Sequence, residues 1–358
     1  MSLSRASGPP RAAAAPVPAP VPAQVPTSIA ASVDTRRRRL QLALAAIWLF
    51  DGVLQLQPFM FTRQFAATVM VPAANGNPAV VADPISWAAR IVGDHSVGAN
   101  LLFAAIQVGL GLAIAWRPAL RVGLAASVLW SLGVWWFGEG FGGLLTGGAD
   151  PVSGAPGAVV LYALAAILLW PTARDAPFPA AGFTGARPAR AVWAVLWGGL
   201  AALALQSANT QPQAMHDMIA SMAQGEPGWL AAAQNQAASL LAGKGLATAV
   251  VLAAVLAAVA TAPYLRSPRA METLLVLGII AAALIWVIGE AAGGLLLGTG
   301  TDPNSGPLLV LLALAFWPPG AEVRTPLSQY SAITSADGAL SPTPPRETVD
   351  TGSLGGTS

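Results

Sequence analysis

Residues 135–157 read WWFGEGFGGLLTGGADPVSGAPG, and residues 286–307 read WVIGEAAGGLLLGTGTDPNSGP. Both stretches begin with tryptophan, continue through Gly-Glu and a pair of glycines, and reach an Asp-Pro dipeptide. A loop of this composition that occurs twice in one chain indicates an internal duplication. Glu139 and Glu290 occupy the same place in the two copies, so the repeat also supplies the first candidate functional residues.

The composition is typical of a polytopic membrane protein. Hydrophobic residues make up 55% of the 358 residues and charged residues only 9%, and the mean hydropathy is +0.61. A charge at the centre of a bilayer costs several kcal/mol, so we expect the few charges to lie in tails and loops. The predicted fold class is all-α, with about eight transmembrane helices arranged as two parallel four-helix repeats.

Eight apolar segments are the predicted spans, four in each half of the chain. Because four is an even number, both halves are expected to enter the membrane in the same orientation, related by an axis along its normal. The predicted spans are 40–56, 97–116, 122–138, 155–170, 191–205, 246–263, 273–289 and 307–317.

The repeats also set the predicted domain boundaries. The first repeat is predicted over 35–171 and the second over 191–318, with a cytoplasmic linker over 172–190. Residues 1–34 and 319–358 are rich in Pro, Ala, Ser and Gly and are predicted to be disordered cytoplasmic tails.

Arginine dominates the basic residues, since Lys244 is the one lysine in the sequence. In the eight-span arrangement most arginines fall on one side of the membrane, and cytoplasmic loops collect Lys and Arg. We therefore predict that both termini are cytoplasmic and that the glycine-rich loops face outward. The abundance of alanine and arginine suggests a bacterial protein, which would place it in the inner membrane.

Several classes of chemistry are excluded by composition. The chain has no cysteine, which rules out disulfides, thiolate metal sites and iron–sulfur clusters. Its two histidines, His95 and His216, lie outside the predicted spans, so a haem held between helices is not expected. No metal site, covalently bound cofactor or nucleic-acid partner is predicted, and whether the chain is an enzyme stays open.

The last predicted span of each half is short. The second of these, over 307–317, contains 11 residues, which reach roughly 17 Å across a hydrocarbon core of roughly 30 Å. We therefore expect the glycine-rich loops to supply the missing depth as re-entrant segments that line a wet cavity open to the outside. Tilting of helices or thinning of the bilayer is the alternative explanation.

The carboxylates of these loops are candidate ligand or proton sites. Glu139 and Glu290 each follow an apolar span, where an unpaired carboxylate is unfavourable unless it has a function. Asp150 and Asp302, in the two Asp-Pro dipeptides, are candidates for the same site or are helix caps and turn residues.

A further carboxylate, Asp51, lies in the outer part of the first predicted span, followed by Gln55. It is expected either to pair with Arg63 or to join the cavity of Glu139. The second half has Ala202 at the aligned position, so any chemistry of Asp51 would be confined to the first half.

Three tryptophans precede the loop glutamates by three or four residues and are expected near them on the same helix face. An aromatic wall beside a carboxylate suits a flat apolar ligand such as a quinone, whereas an interfacial aromatic belt is the structural alternative. These residues are Trp135, Trp136 and Trp286.

Each half contains a short span, an outer amphipathic segment with a Gly-x-Pro turn, and three further spans. Gly76-Asn77-Pro78 and the stretch QVGLG at 107–111 fit this order, which resembles the DoxX-like family of four-helix membrane proteins, here duplicated. The resemblance implies a membrane module associated with thiol, sulfur or quinone redox and partnered by a soluble or peripheral redox protein. It transfers no catalytic residue to this chain.

Three functions are therefore considered. The first is a quinone- or redox-associated membrane subunit with a carboxylate-lined outer cavity. The second is a transporter or permease for a small solute or ion, whose two halves move about their common axis. The third is a membrane scaffold that has no ligand of its own. In each case membrane lipid is an expected partner.

Overall fold

The computed structural model describes residues 27–172 and 174–319, and all regular structure within these ranges is helical. Four helices of the described ranges are long and apolar enough to cross a membrane, which confirms the prediction of a helical membrane protein. These candidate spans are Ser96–Ala115, Arg117–Phe137, Gly245–Tyr264 and Pro268–Gly289, the second and third predicted spans of each half. The main helices are α1 (Thr27–Leu54), α2 (Ala79–Asp94), α3 (Ser96–Ala115), α4 (Leu120–Phe137), α5 (Ala158–Leu168), α6 (Ala186–Ala204), α7 (Ala214–Met222), α8 (Gly228–Leu241), α9 (Gly245–Ala260), α10 (Pro268–Leu284) and α11 (Ser305–Ala315).

The centre of the molecule is built around two short helices, α5 and α11, which pack against each other. Each has 11 residues and is apolar on every side, as expected for a helix surrounded by protein. Leu161, Tyr162, Leu308 and Leu312 are at most 1% exposed. Because these two helices are covered by neighbouring helices, their short length does not expose backbone to lipid.

The candidate spans surround this centre and keep much of their apolar surface exposed. Helix α1 packs along α3 and α6 along α9, while α4 contacts α5 and α10 contacts α11. Val122 and Leu129 of α4 are exposed, and so are Val251 of α9 and Ile280 of α10. Exposed branched side chains on helices of this length are favourable only in contact with lipid.

Arginines near the start of α1 bind the carboxyl ends of other helices. Arg38 donates to the carbonyl oxygens of Ile114, at 3.1 Å, and Ala115, where α3 ends. Arg36 Nη1 donates to the Pro318 carbonyl at 2.9 Å, just beyond α11. The last carbonyls of a helix have no partner within the helix, and a guanidinium there also interacts favourably with the helix dipole.

One predicted boundary is wrong. Helix α1 begins at Thr27, so residues 27–34 belong to a helix and not to a tail, because Val33 is buried and Asp34 pairs with Arg37 at 2.6 Å. Within the predicted linker 172–190, Phe178 is 3% exposed and its ring lies 5.2 Å from that of Phe316. The predicted disordered segments 1–26 and 320–358 lie outside the described residues.

The fourth predicted span, 155–170, is also shorter than expected. Helix α5 begins only at Ala158, directly after Gly157, whose φ of 105° is not helical. Helix α2 and helix α8 were not predicted, and both start directly after a turn proline, Pro78 and Pro227. Proline is favoured at the positions just before a helix and in its first turn.

Candidate functional site

Each glycine-rich loop joins a candidate span to one of the two central helices, α5 or α11. The backbone has positive φ, between 53° and 74°, at Phe141 and Gly142 in the first loop and at Ala292 and Gly293 in the second. A Cβ at Gly142 would overlap the carbonyl group of Pro156. The turn in the first loop therefore needs glycine at this position for two reasons, namely the left-handed φ and the close approach of the Pro156 backbone.

A tryptophan side chain fixes the end of each loop. Trp135 Nε1 donates to the carbonyl oxygen of Pro156 at 2.7 Å, and Trp286 Nε1 donates to that of Pro303 at 2.7 Å. Pro156 lies 21 residues after its tryptophan and Pro303 lies 17 after its own, so the first loop is four residues longer. By these contacts Pro303 corresponds to Pro156, whereas in the sequence alignment Pro303 corresponds to Pro151.

Each loop glutamate accepts hydrogen bonds at the first turn of the following helix. Glu139 Oε1 accepts from Val159 N at 3.3 Å, and Glu290 accepts from Gly306 N at 3.4 Å and from the Ser305 hydroxyl. A carboxylate is stabilised at a helix N-terminus by the free N–H groups there. The repeated glutamates therefore have a structural role, although each is at least 15 residues from the helix it caps.

The two glutamates differ in whether both carboxylate oxygens accept hydrogen bonds. Both carboxylate oxygens of Glu290 accept hydrogen bonds. Glu139 Oε2 is buried and has no hydrogen-bond partner within the described part of the protein. Only Glu139 lines the largely apolar cavity described next, which gives it an open acceptor that Glu290 lacks.

A cavity of about 320 Å³ lies in the first half of the chain, between α1, α3, α4, α5 and the segment 65–70. Its walls include the side chains of Trp48, Phe65, Phe103, Trp130 and Phe137. The polar side chains that line it are Asp51, Gln55, Gln107, Glu139, Tyr162, Thr301 and Asp302. The cavity thus brings together three carboxylates and an aromatic wall, and we call it the Asp51 cavity.

Asp51 is the most deeply buried of these carboxylates, with 1% of its side chain exposed. Its Oδ2 accepts a hydrogen bond of 2.6 Å from the hydroxyl of Tyr162, and its Oδ1 has no partner in the described residues. Arg63, the alternative partner considered from sequence, lies 3.5 Å from Asp94 instead, on an exposed surface. Of the two expectations for Asp51, the structure shows membership of the cavity.

The second half of the chain contributes to this first-half cavity through its own loop. Gln57 Nε2 donates to the Gly300 carbonyl at 3.1 Å and Gln55 Nε2 donates to that of Thr301 at 3.5 Å, which places Asp302 at the cavity. In the reverse direction, Asn209 donates to a carbonyl of the first loop at 2.9 Å. Each loop is therefore bonded to the other half.

No Lys, Arg or His lines the Asp51 cavity among residues 27–172 and 174–319. Burial without a neighbouring positive charge changes the pKa of the loop carboxylates. Loss of water raises the pKa of Glu139 well above its usual range, with Asp302 nearby adding to the effect, and burial raises the pKa of Asp302 itself. Burial likewise raises the pKa of Glu290, from 4.5 to about 7. These groups therefore hold protons more tightly than exposed carboxyls do.

Some predicted site residues lie elsewhere. Asp150 Oδ1 accepts from Val152 N at 2.8 Å, a local turn bond that Asp302 repeats with Asn304 N at 2.7 Å, but Asp150 does not line the Asp51 cavity. Trp136 does not line the cavity, although its ring stacks on that of Phe137, which does, with ring centroids 5.3 Å apart. The predicted wall of Trp135, Trp136 and Trp286 is therefore replaced by other aromatic residues.

Tyr162, Gln107 and Thr301 are polar cavity residues that sequence reasoning missed. Tyr162 lies within an apolar helix and is 111 residues from Asp51, so no local pattern connects them. One signal was present, however. The helices α5 and α11 have the same length, and the residue of α11 that corresponds to Tyr162 is Leu309. A single tyrosine in one of two repeated apolar helices marks the half that has the polar cavity.

The second half has a corresponding cavity of different character. It has a volume of about 610 Å³ and lies between α7, α9 and α10. Lys244 is the only charged residue that lines it within the described ranges, and most of the rest is aliphatic. Of these two cavities, only the Asp51 cavity is lined by carboxylates.

The described residues contain no group of three or more His, Cys, Asp or Glu side chains arranged to hold a metal ion. No family model, no curated protein and no solved structure matches this chain. Fold and site together define a helical membrane protein with a partly aromatic cavity that contains three carboxylates.

Proposed function

We propose that this protein is a small-solute permease of the bacterial inner membrane, in which the Asp51 cavity binds the solute and exchanges protons with it. The observation that carries the proposal is the set of three carboxylates, Asp51, Glu139 and Asp302, in a cavity that no basic side chain of the described chain lines. A buried carboxylate without a counter-charge must take up either a proton or a ligand.

The proposal includes eight spans in two parallel repeats. Helices α1, α5, α6 and α11 would be the other four spans, and α5 and α11 would reach full depth through the glycine-rich loops. The recurring order of helices and the equivalent Trp–Pro bonds in both halves support a duplication. The arginines at the end where α3 and α11 finish support a cytoplasmic location for that end.

The position of the cavity supports transport over simple storage. Asp302 belongs to the second half, whereas Asp51 and Glu139 belong to the first, so relative movement of the halves would change the cavity. The hydrogen bonds of Gln55 and Gln57 to the second loop would have to break in such a movement. Movement of one repeat against the other is a common mechanism in duplicated transporters.

The test is proton movement in reconstituted liposomes loaded with a pH-sensitive dye, challenged with a panel of small aromatic amines, alcohols and acids. Gly133 lines the cavity, and a Cβ there would meet no atom within 4 Å, so Gly133→Leu should fill the cavity without disturbing the backbone. Gly109→Leu, on the exposed face of α3, is the matched control.

We expect at least one solute to drive proton movement in the wild type and in the Gly109→Leu variant, and not in the Gly133→Leu variant. If no solute moved protons faster in the wild type than in the Gly133→Leu variant, the proposal would be wrong.

A second candidate is a quinone-holding subunit of a redox complex, as the resemblance to DoxX-like proteins implies. One observation favours it, because Trp130 Nε1 lines the cavity as a buried donor without an acceptor in the described residues. A quinone carbonyl would supply that acceptor. Stoichiometric quinone in organic extracts of the purified protein, together with a co-purifying soluble redox protein, would favour this function over transport.

A further inference from the structure

Two poles can be distinguished in the Asp51 cavity. Asp51 bonds to Tyr162 and Glu139 bonds to Val159, two residues one turn apart on α5. Asp302 is near enough to interact electrostatically with both carboxylates. The polar pole therefore lies at the first turn of α5.

The other pole is aromatic. Phe103 and Trp130 contact each other with ring centroids 5.7 Å apart, and Phe65 and Phe137 line the same cavity. These rings belong to α3, α4 and the segment before α2, on elements other than α5. A ligand that fits this lining has a compact polar group and an apolar body.

Apart from the indole Nε1 of Trp130, the buried unbonded polar atoms of the residues that line the cavity are acceptors, and they define the polar group of that ligand. Four buried acceptor oxygens have no hydrogen-bond partner in the described protein, which leaves a demand for donors. They are Asp51 Oδ1, Gln55 Oε1, Gln107 Oε1 and Glu139 Oε2. A primary ammonium group supplies three N–H donors and a positive charge, so it satisfies both the hydrogen bonds and the charge balance.

We propose that the ligand of the Asp51 cavity is a protonated primary amine with an aromatic or similarly bulky apolar body. This inference rests on the proposed function and names its class of solute. An inorganic cation would leave the aromatic walls unused, and the described residues offer no cluster of three metal-ligating side chains. An ammonium group also gains from aromatic faces, through cation–π attraction, when it is removed from water.

Three probes with one phenyl body and different charge test this inference, namely 2-phenylethylamine, 2-phenylethanol and phenylacetate. Binding to the purified protein in lipid nanodiscs is measured by calorimetry at pH 7. Truncating one member of a buried hydrogen-bonded charge pair typically weakens binding by 2 kcal/mol or more, roughly thirtyfold. We therefore expect Asp51→Asn and Glu139→Gln each to weaken amine binding by roughly thirtyfold or more and to leave alcohol binding within about threefold.

Asp150→Asn is the control, because Asp150 is a buried carboxylate outside the cavity, and it should bind the amine as the wild type does. Thermal unfolding of each variant shows whether it is folded, and Glu139→Gln replaces Asp51→Asn as the deciding variant if the latter is unfolded. Equal binding of alcohol and amine would overturn the inference, and so would amine binding unchanged in both cavity variants.

The two proposals fail separately. If 2-phenylethanol bound as tightly as the amine and Gly133→Leu abolished both, the cavity would still be a solute site and only the charge assignment would be wrong. If none of the three probes bound, the amine inference would be wrong, and the proton-movement assay would decide the proposed function independently.

Discussion

The hydrogen bond between Tyr162 and Asp51 should contribute strongly to stability, and its removal gives the most quantitative test of the cavity. The bond is 2.6 Å long, and the side chains of Tyr162 and Asp51 are 0% and 1% exposed. Tyr162→Phe deletes the only hydrogen bond to the Asp51 side chain found in the described residues. Removing one partner of a buried hydrogen bond leaves the other unsatisfied and costs roughly 1–3 kcal/mol, so the free energy of unfolding should fall by about 2 kcal/mol.

A double-mutant cycle with Tyr162→Phe and Asp51→Ala isolates this interaction from other effects of each substitution. Unfolding in mixed micelles at pH 7 supplies the four free energies, and we expect a coupling energy of roughly 1 kcal/mol. Tyr264→Phe is the control, since Tyr264 is 54% exposed, and it should change stability by less than about 0.5 kcal/mol. A coupling energy below about 0.5 kcal/mol would contradict the assignment of Asp51 to a dry, charge-uncompensated site.

Three further predictions concern the framework that holds the cavity. The pKa of Glu290 is raised from 4.5 to about 7 in the folded protein, which contributes stability that is present below about pH 4.5 and lost as pH rises through 7. Glu290→Gln should remove roughly 3 kcal/mol of this pH dependence in unfolding titrations. An unchanged profile would argue against the burial of this carboxyl. Arg38→Gln, which loses donors to two carbonyls at the end of α3, should lower the free energy of unfolding by about 1–3 kcal/mol, whereas the exposed neighbour Arg39→Gln should have little effect; equal effects would contradict the helix-capping role. Gly142→Ala should lower the thermal midpoint far more than Gly147→Ala. Both glycines have positive φ, but the new Cβ would overlap a backbone carbonyl at Gly142 and would meet open space at Gly147. Similar midpoints would show that close packing of the loop is not required.

The fold was predictable where its cause is local. The spans that became α3, α4, α9 and α10 are continuous apolar runs, and such runs specify a membrane helix without knowledge of the partners. Helix α2 was missed because Pro84 and a nearby aspartate interrupt its apolar pattern, although its first residues follow a turn proline. Tertiary packing against the segment 63–74 compensates for that weak local signal.

The candidate site was only partly predictable, because its members come from distant parts of the chain. Asp51, Gln55, Glu139 and Asp302 were identified as polar residues in an apolar sequence, and the structure places these four at one cavity. Their aromatic neighbours were not identified, since an aromatic residue in a span is common and carries no positional information. The repeat was also misleading, because Asp302 aligns with Asp150 in sequence but only Asp302 of the two lines the Asp51 cavity.

The duplicated loop illustrates the same limit. Its glutamates were proposed as functional residues because a carboxylate beside lipid is unfavourable, yet each accepts hydrogen bonds at the start of a central helix. Capping across 15 or more residues cannot be recognised from sequence, since helix caps are normally local. The functional difference between Glu139 and Glu290 depends on one unbonded oxygen, which only the three-dimensional arrangement reveals.

The absence of cysteine from the sequence permits a direct measurement of the charge of the cavity. A Gly133→Cys variant has one thiol, inside the Asp51 cavity, and its rate of reaction is compared between a cationic and an anionic methanethiosulfonate of similar size. Ser239→Cys, on an exposed helix face, corrects for the intrinsic reactivities. We predict that the cationic reagent is favoured on the order of tenfold, and that Asp51→Asn with Glu139→Gln removes the preference. Equal corrected rates in the parent variant would contradict the central claim that this cavity is an anionic site for a cationic solute.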